Sequence, residues 1–302
     1  MNSTSNNSGT EPEDLVLKSG NFAIWSLRIS ISAGYLIAMT YIMIMMIIEM
    51  YVNGVGIGRN ESIGKRIGGL IKVTRLTLAI ICNLKFLTGS LLRVLVDVYH
   101  PEYCHIHFRW TVFSSCLAVF ISYLTVWLRH RVIYNIPAIK HLTNYITRIV
   151  SILVIFLAAA IQIGIGSTVI PSFRTAVTQY GCLAVGSKMP MQIPWLIFSV
   201  SSVVMQLMML GLFIYPLQRH QRNIGGDGVD DLTPMLKRAL YTTVVCCASD
   251  TATSILVVII GNSIASISME TTLFVNLMMI LVCFPEWKTT LFPCIIMTSE
   301  IN

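Results

Sequence analysis

Seven long, mostly apolar stretches follow one another along this chain, and most of the charged residues lie between them. They cover residues 22–48, 73–97, 108–128, 149–170, 192–216, 239–261 and 264–285. A bilayer core about 30 Å thick is crossed by roughly 20 apolar residues in α-helical form. In lipid only helices and closed barrels satisfy their own backbone polar groups. The stretches are continuous rather than alternating, which excludes a barrel. The expectation is an all-α fold, a seven-transmembrane helix bundle over residues 22–285. Residues 1–21 form a polar tail before it and residues 286–302 a short tail after it. Charged residues are only 12% of the 302, about half the share a soluble domain carries. Length alone suggests about two soluble domains, but the even spread of apolar stretches favours one bundle with lipid as its outer solvent.

The joints carry turn and breaker residues. Asn53-Gly54-Val55-Gly56-Ile57-Gly58 separates the first two stretches, His100-Pro101-Glu102 ends the second, Pro171 closes the fourth, and Gly225-Gly226-Asp227-Gly228 lies between the fifth and sixth. The seventh contains Glu270 and is expected to end at Pro285. Beyond it, Trp287, Leu291, Phe292, Ile295 and Ile296 suit either a short amphipathic helix on the membrane surface or an apolar tail. The first stretch is too long for a signal-peptide core, so it is expected to serve as its own insertion signal.

Orientation follows from the basic residues, which are enriched in cytoplasmic loops. With the N-terminus outside and the C-terminus inside, the inner segments hold thirteen Lys and Arg, and the outer segments hold three: Lys18, Arg174 and Lys188. Each inner loop is basic in turn. The triplets at Asn2 and Asn6 are glycosylation acceptors on the outer side, whereas Asn60-Glu61-Ser62 falls inside and is expected to remain unmodified. The location implied is the plasma membrane.

Of eight cysteines, Cys82, Cys116, Cys246, Cys247 and Cys283 lie in spans, where they pack as small apolar residues, and Cys294 lies near the inner end. Cys104 and Cys182 alone fall in outer segments, the oxidising side. They are expected to form a bridge across the mouth of the bundle; two free thiols are the alternative.

Seven spans, an outer N-terminus and this cysteine pair resemble the rhodopsin-like G-protein-coupled receptors. In that family a disulfide cysteine opens the third helix and an arginine closes it on the inner side. Here Arg129 follows Cys104 by 25 residues, and Trp127-Leu128-Arg129-His130-Arg131 leads to Pro137. The resemblance covers the layout of the whole chain and few of its motifs. Leu128 and His130 flank the arginine in place of the family's acidic residue and tyrosine. The sixth span reads Cys246-Cys247-Ala248-Ser249-Asp250, without tryptophan or proline, and the seventh lacks Asn-Pro-x-x-Tyr. The resemblance implies an extracellular ligand of unknown identity and a heterotrimeric G protein as partners. It also implies coupling through Arg129, with Arg131 beside it. A snorkelling interface anchor is the plainer role for Arg129.

Charges within spans are costly and are normally paired or turned toward a cavity. Lys85 and Asp250 each lie about 12 residues from the inner start of their spans, about 18 Å at 1.5 Å per residue and so near mid-membrane. They are expected to face the bundle interior and sense each other, either as a functional pair or as one that only fixes helix packing. Lys85, Gly89 and Arg93 recur at steps of four, and Arg93 reaches Asp97 by the same step. The outer mouth gathers His100, His105, His107, Arg109 and Trp110, with Arg174, Tyr180, Trp195 and Glu270 nearby by topology. Lys85, Arg93, Asp97, Arg109, Asp250 and Glu270 are therefore the candidate ligand-binding residues, with an anionic ligand as one option.

No catalytic, cofactor or phosphate-loop motif is present, and a metal site is disfavoured because His105 and His107 point apart on a helix. The net charge of +7 is not a nucleic-acid signature, since the basic residues are scattered between spans. The alternative to a receptor is a small transporter or channel with Lys85, Arg93 and Asp250 along its pathway. Against it stand the absence of inverted repeats and the odd number of spans.

Overall fold

The computed structural model describes residues 22–53, 63–134, 145–178, 181–187, 192–224, 232–260, 262–283, 287 and 291. The expected tail 1–21, the expected tail 286–302 apart from Trp287 and Leu291, the three acceptor triplets, Cys294 and the glycines of the joints at 54–58 and 225–228 lie outside these residues. Among them are seven long helices: α1 Phe22–Asn53, α2 Ile63–Leu87, α3 Cys104–Tyr134, α4 Tyr145–Ser172, α5 Gln192–Ile224, α6 Leu232–Ile260 and α7 Asn262–Val282. Five apolar segments are long enough to cross a bilayer: Phe22–Val52, Gly68–Tyr99, Pro101–Arg131, Thr147–Ser172 and Leu240–Ile259. The apolar windows of α5 and α7 are shorter, Leu196–Leu212 and Ile267–Val282.

The helices pack in chain order, each against the next, and α7 returns to touch α1 and α2. Besides its sequence neighbours, α3 contacts α5 and α7. It therefore runs through the middle of a closed ring. Small side chains permit close helix approach, and Ala118 of α3, Ala158 of α4 and Cys82 of α2 are fully buried in the core.

The radial distribution of polarity is that of a membrane protein. Ile37, Phe156, Ile163 and Ile259 are about 70% exposed, whereas Lys85, Asp97, Asp250 and Glu270 are at most 1% exposed. In water the burial of such charges without apolar cover outside would have no driving force; in lipid the apolar faces meet their own solvent and the charges must turn inward.

The structure departs from the all-α expectation between α4 and α5. There β1 (Phe173–Thr178) and β2 (Gly181–Ser187) form an antiparallel hairpin. It pairs Phe173 with Ser187 at one end and Thr178 with Gly181 at the other, with an irregularity between Arg174 and Thr175. β-branched Thr175, Val177 and Thr178 suit a strand, and Gly181 supplies the positive φ of 87° required at the tight turn. Helix limits also differ from the expected spans. Pro171 lies inside the last turn of α4, one residue before the helix ends at Ser172; lacking a backbone N–H, it cannot continue the ladder. α7 ends at Val282, with Cys283 in a turn. Beyond it, Leu291 is buried and its carbonyl accepts a 2.7 Å hydrogen bond from Tyr41 of α1.

After Leu87 the second helix continues through two π turns, Thr88–Leu92 and Leu95–Tyr99, before His100 breaks it and Pro101 opens a short 3-10 turn leading into α3. Side chains at steps of four drift about 40° per step around an ordinary α-helix. The wider π turns cancel this drift. Lys85, Gly89, Arg93 and Asp97 consequently all lie on the buried face.

Candidate functional site

Two buried polar clusters occupy the bundle. The first lies at the hairpin end and is built on that straightened face of the second helix. Lys85 Nζ is 4.0 Å from Glu270 Oε1 of α7, and Arg93 Nε is 3.3 Å from Asp97 Oδ2. Glu270 also accepts a hydrogen bond from Ser32 of α1. Arg28, one turn before Ser32, is buried within electrostatic range of Arg93, Asp97 and Glu270. Trp25 Nε1 donates to Asp97 at 3.0 Å. Gly89 is the gap through which Glu270 enters: a Cβ there would stand 2.6 Å from Glu270 Oε1.

The hairpin is fastened to this cluster twice. Cys182 is joined to Cys104 by a disulfide. Its backbone N–H donates to Asp97 Oδ1 at 2.7 Å, and its carbonyl accepts from Arg93 Nη2 at 2.9 Å. Opposite, the Thr88 carbonyl, released from regular α-helical bonding by the π turn, lies 3.2 Å from His107 Nε2 of α3, and the Thr88 hydroxyl accepts from Trp110 at 3.1 Å. π turns commonly mark functional or strained positions; here they bring four side chains to one face and aim carbonyls at α3.

The second cluster centres on Asp250 of α6. Its carboxylate accepts hydrogen bonds from Ser202, from Gln206 Nε2 at 2.7 Å and from Asn276 Nδ2 of α7 at 2.9 Å. Tyr123 Oη of α3 lies 3.0 Å from Ser202 Oγ. α3, α5, α6 and α7 thus meet at one polar junction. Beside it lies a cavity of about 110 Å³, lined along α3 by Val119, Ser122, Tyr123, Val126, Arg129 and His130, a single helical stripe. Phe198, Met209 and Leu210 of α5 and Leu273 and Ile280 of α7 supply apolar walls.

Arg129 and Cys283 line the far end of the cavity. Arg129 is buried and its guanidinium contacts the Cys283 thiol, to which Thr242 also donates at 3.5 Å. Arg131 is exposed, with its guanidinium 5.0 Å over the ring of Trp127.

The sequence-derived candidates therefore separate into three places. Lys85, Arg93, Asp97 and Glu270 form the first cluster. Asp250 stands in the second: Lys85 has Glu270 as its ion-pair partner, and Asp250 is held by uncharged side chains. Arg109 is exposed on the outside of α3 and joins neither. Trp25, Arg28 and Ser32 belong to the first cluster and were not among the candidates. The signal was a third intramembrane cation in the first span. Ser202, Gln206 and Asn276 were also missed, because isolated polar residues in apolar runs carry no pattern. Among the described residues no group of His, Cys, Asp and Glu is arranged to hold a metal ion.

A helical ring with apolar outer faces and inward-turned charges defines a multi-pass membrane protein. No known protein family matches the chain, and no curated protein matches it.

Proposed function

We propose that this chain is a seven-transmembrane receptor at the plasma membrane, with its N-terminus outside, that responds to an extracellular ligand and signals through a heterotrimeric G protein. One observation carries this reading. A cavity walled by α3, α5, α6 and α7 runs from a buried carboxylate, Asp250, to a buried arginine, Arg129. By the expected orientation this cavity lies between mid-membrane and the inner end of the bundle; a ligand bound at the hairpin end that favours one of two helix arrangements shifts their populations, and the Asp250 junction ties α3, α5, α6 and α7 to that shift. Further support comes from the central position of α3 and from the disulfide joining its first residue to the hairpin. Arg129 is the coupling candidate, with Arg131 exposed beside it. The transporter alternative is weakened because Lys85, Arg93, Asp97 and Glu270 are taken up by partners within the chain.

The test is guanine-nucleotide exchange on a panel of heterotrimeric G proteins, using the purified full chain in lipid nanodiscs. The expected result is exchange above that of empty discs, reduced to the empty-disc level by Arg129→Ala. Solute flux in liposomes without any exchange contradicts the reading.

A further inference from the structure

The hairpin has one edge in use and one open. Residues opposite each other in an antiparallel pair alternate between those that exchange both backbone hydrogen bonds and those that exchange none. Cys182 stands opposite Val177. Its N–H donates to Asp97 Oδ1 and its carbonyl accepts from Arg93 Nη2, so both groups are turned away from β1. Val177 and Cys182 are therefore a pair without mutual bonds. Two residues back, the same holds for Thr175 and Ala184. The N–H and C=O of Val177 and of Thr175 consequently point outward from β1, on the side away from β2. Among the described residues no backbone hydrogen bond outside the ladder reaches either of them. β1 begins where the membrane-crossing segment of α4 ends, at Ser172, so this edge lies beyond the spans.

The side chains of β1 add a second preference. Arg174 and Ala176 lie on its exposed face, and Phe173, Thr175 and Val177 on its half-buried face, where the Phe173 ring meets Phe108 of α3 at 6.2 Å. Neither Arg174 nor Arg109, the residue after Phe108, forms an ion pair among the described residues. We propose that an extended peptide of alternating acidic and apolar residues adds to this edge as a third strand. Its backbone pairs with Thr175 and Val177. Its acidic side chains fall on the face of Arg174, and its apolar ones on the face of Thr175 and Val177. An unpaired edge is a template for such addition; the backbone bonds supply affinity and the alternate side chains selectivity. The edge lies outside the helical ring, so the proposal does not depend on the receptor reading.

The test is fluorescence anisotropy of a labelled Glu-Val-Glu-Val-Glu-Val peptide with the full chain in zwitterionic lipid nanodiscs, empty discs subtracted. Saturable binding is expected. The same peptide N-methylated throughout keeps its charges and loses its backbone donors; it is expected to bind about 10-fold more weakly, the worth of one or two hydrogen bonds. Lys-Val-Lys-Val-Lys-Val is expected to bind more weakly than the acidic peptide, and Arg174→Glu to reverse that order. Val177→Pro removes one outward N–H and leaves the β1–β2 ladder intact; it is expected to weaken the acidic peptide about 3-fold or more. The methylated peptide examines the same bonds on the unaltered chain and serves if Val177→Pro does not fold. Absence of saturable binding, equal binding of the methylated peptide, or an unchanged order in Arg174→Glu would each overturn the proposal. Binding that emerges only after removal of residues 1–21 would also overturn it, because the edge would then belong to the chain's own tail with Glu11, Glu13 and Asp14.

Discussion

Lys85 of α2 and Glu270 of α7 face each other at 4.0 Å with neither side chain more than 2% exposed. In such a setting each charge depends on the other, because an uncompensated buried charge is far more costly than a missing pair. Glu270→Leu alone is expected to destabilise the protein by about 3–5 kcal/mol. The double replacement Lys85→Met, Glu270→Leu is expected to cost less than either single change. Thermal unfolding of the four proteins of this cycle measures it; additive losses would mean that the two residues do not interact.

Gly89 is the position on α2 that lets Glu270 approach. Its substitution by alanine places a methyl group 2.6 Å from Glu270 Oε1 and 3.2 Å from its Cδ. The carboxylate must move, and overpacking of this kind costs about 1–3 kcal/mol. Gly89→Ala is therefore expected to lower the unfolding midpoint, and the combination with Glu270→Ala to lose most of that penalty. Gly34, where an added Cβ would meet nothing within 4 Å, is the control: Gly34→Ala is expected to be neutral or slightly stabilising.

The hairpin is held by a disulfide that spans 78 residues of sequence and by the Arg93 and Asp97 bonds to Cys182. A covalent closure of this kind contributes about 2–4 kcal/mol. Cys104→Ala with Cys182→Ala is expected to lose about that much in thermal unfolding. Asp97→Asn is expected to be at least as harmful, since Trp25, Arg93 and Cys182 all present donors to it. Wild-type stability in both variants would show that the hairpin is not fastened there.

Hydropathy made the apolar segments of the sequence easy to locate, since each is long and bounded by breakers. That charges within spans turn inward was also readable from their cost in lipid, and Lys85 and Asp250 are both buried. Their partners were not readable, because height on a helix says nothing of the direction in which a residue faces. The two π turns change that direction along the second helix without any marker in the sequence. Glu270 illustrates the same limit. It was grouped with the outer mouth by topology, yet α7 turns it inward onto Lys85. The hairpin was missed because Phe173–Thr178 and Gly181–Ser187 are short and sit in a loop whose only strong signal was Cys182. Arg109 stood close in sequence to the mouth residues but lies on the outward face of α3, a distinction that needs the helix phase.

Everything turns on the chain crossing the membrane seven times from an outer N-terminus. The most direct test is protease and antibody accessibility of epitope tags at each end of the full chain in sealed cells, read together with glycosylation. The expected result is an N-terminal tag reached from outside with Asn2 or Asn6 modified, a C-terminal tag reached only after permeabilisation, and Asn60 unmodified. Both tags in the same compartment, or sugar on Asn60, would contradict the account.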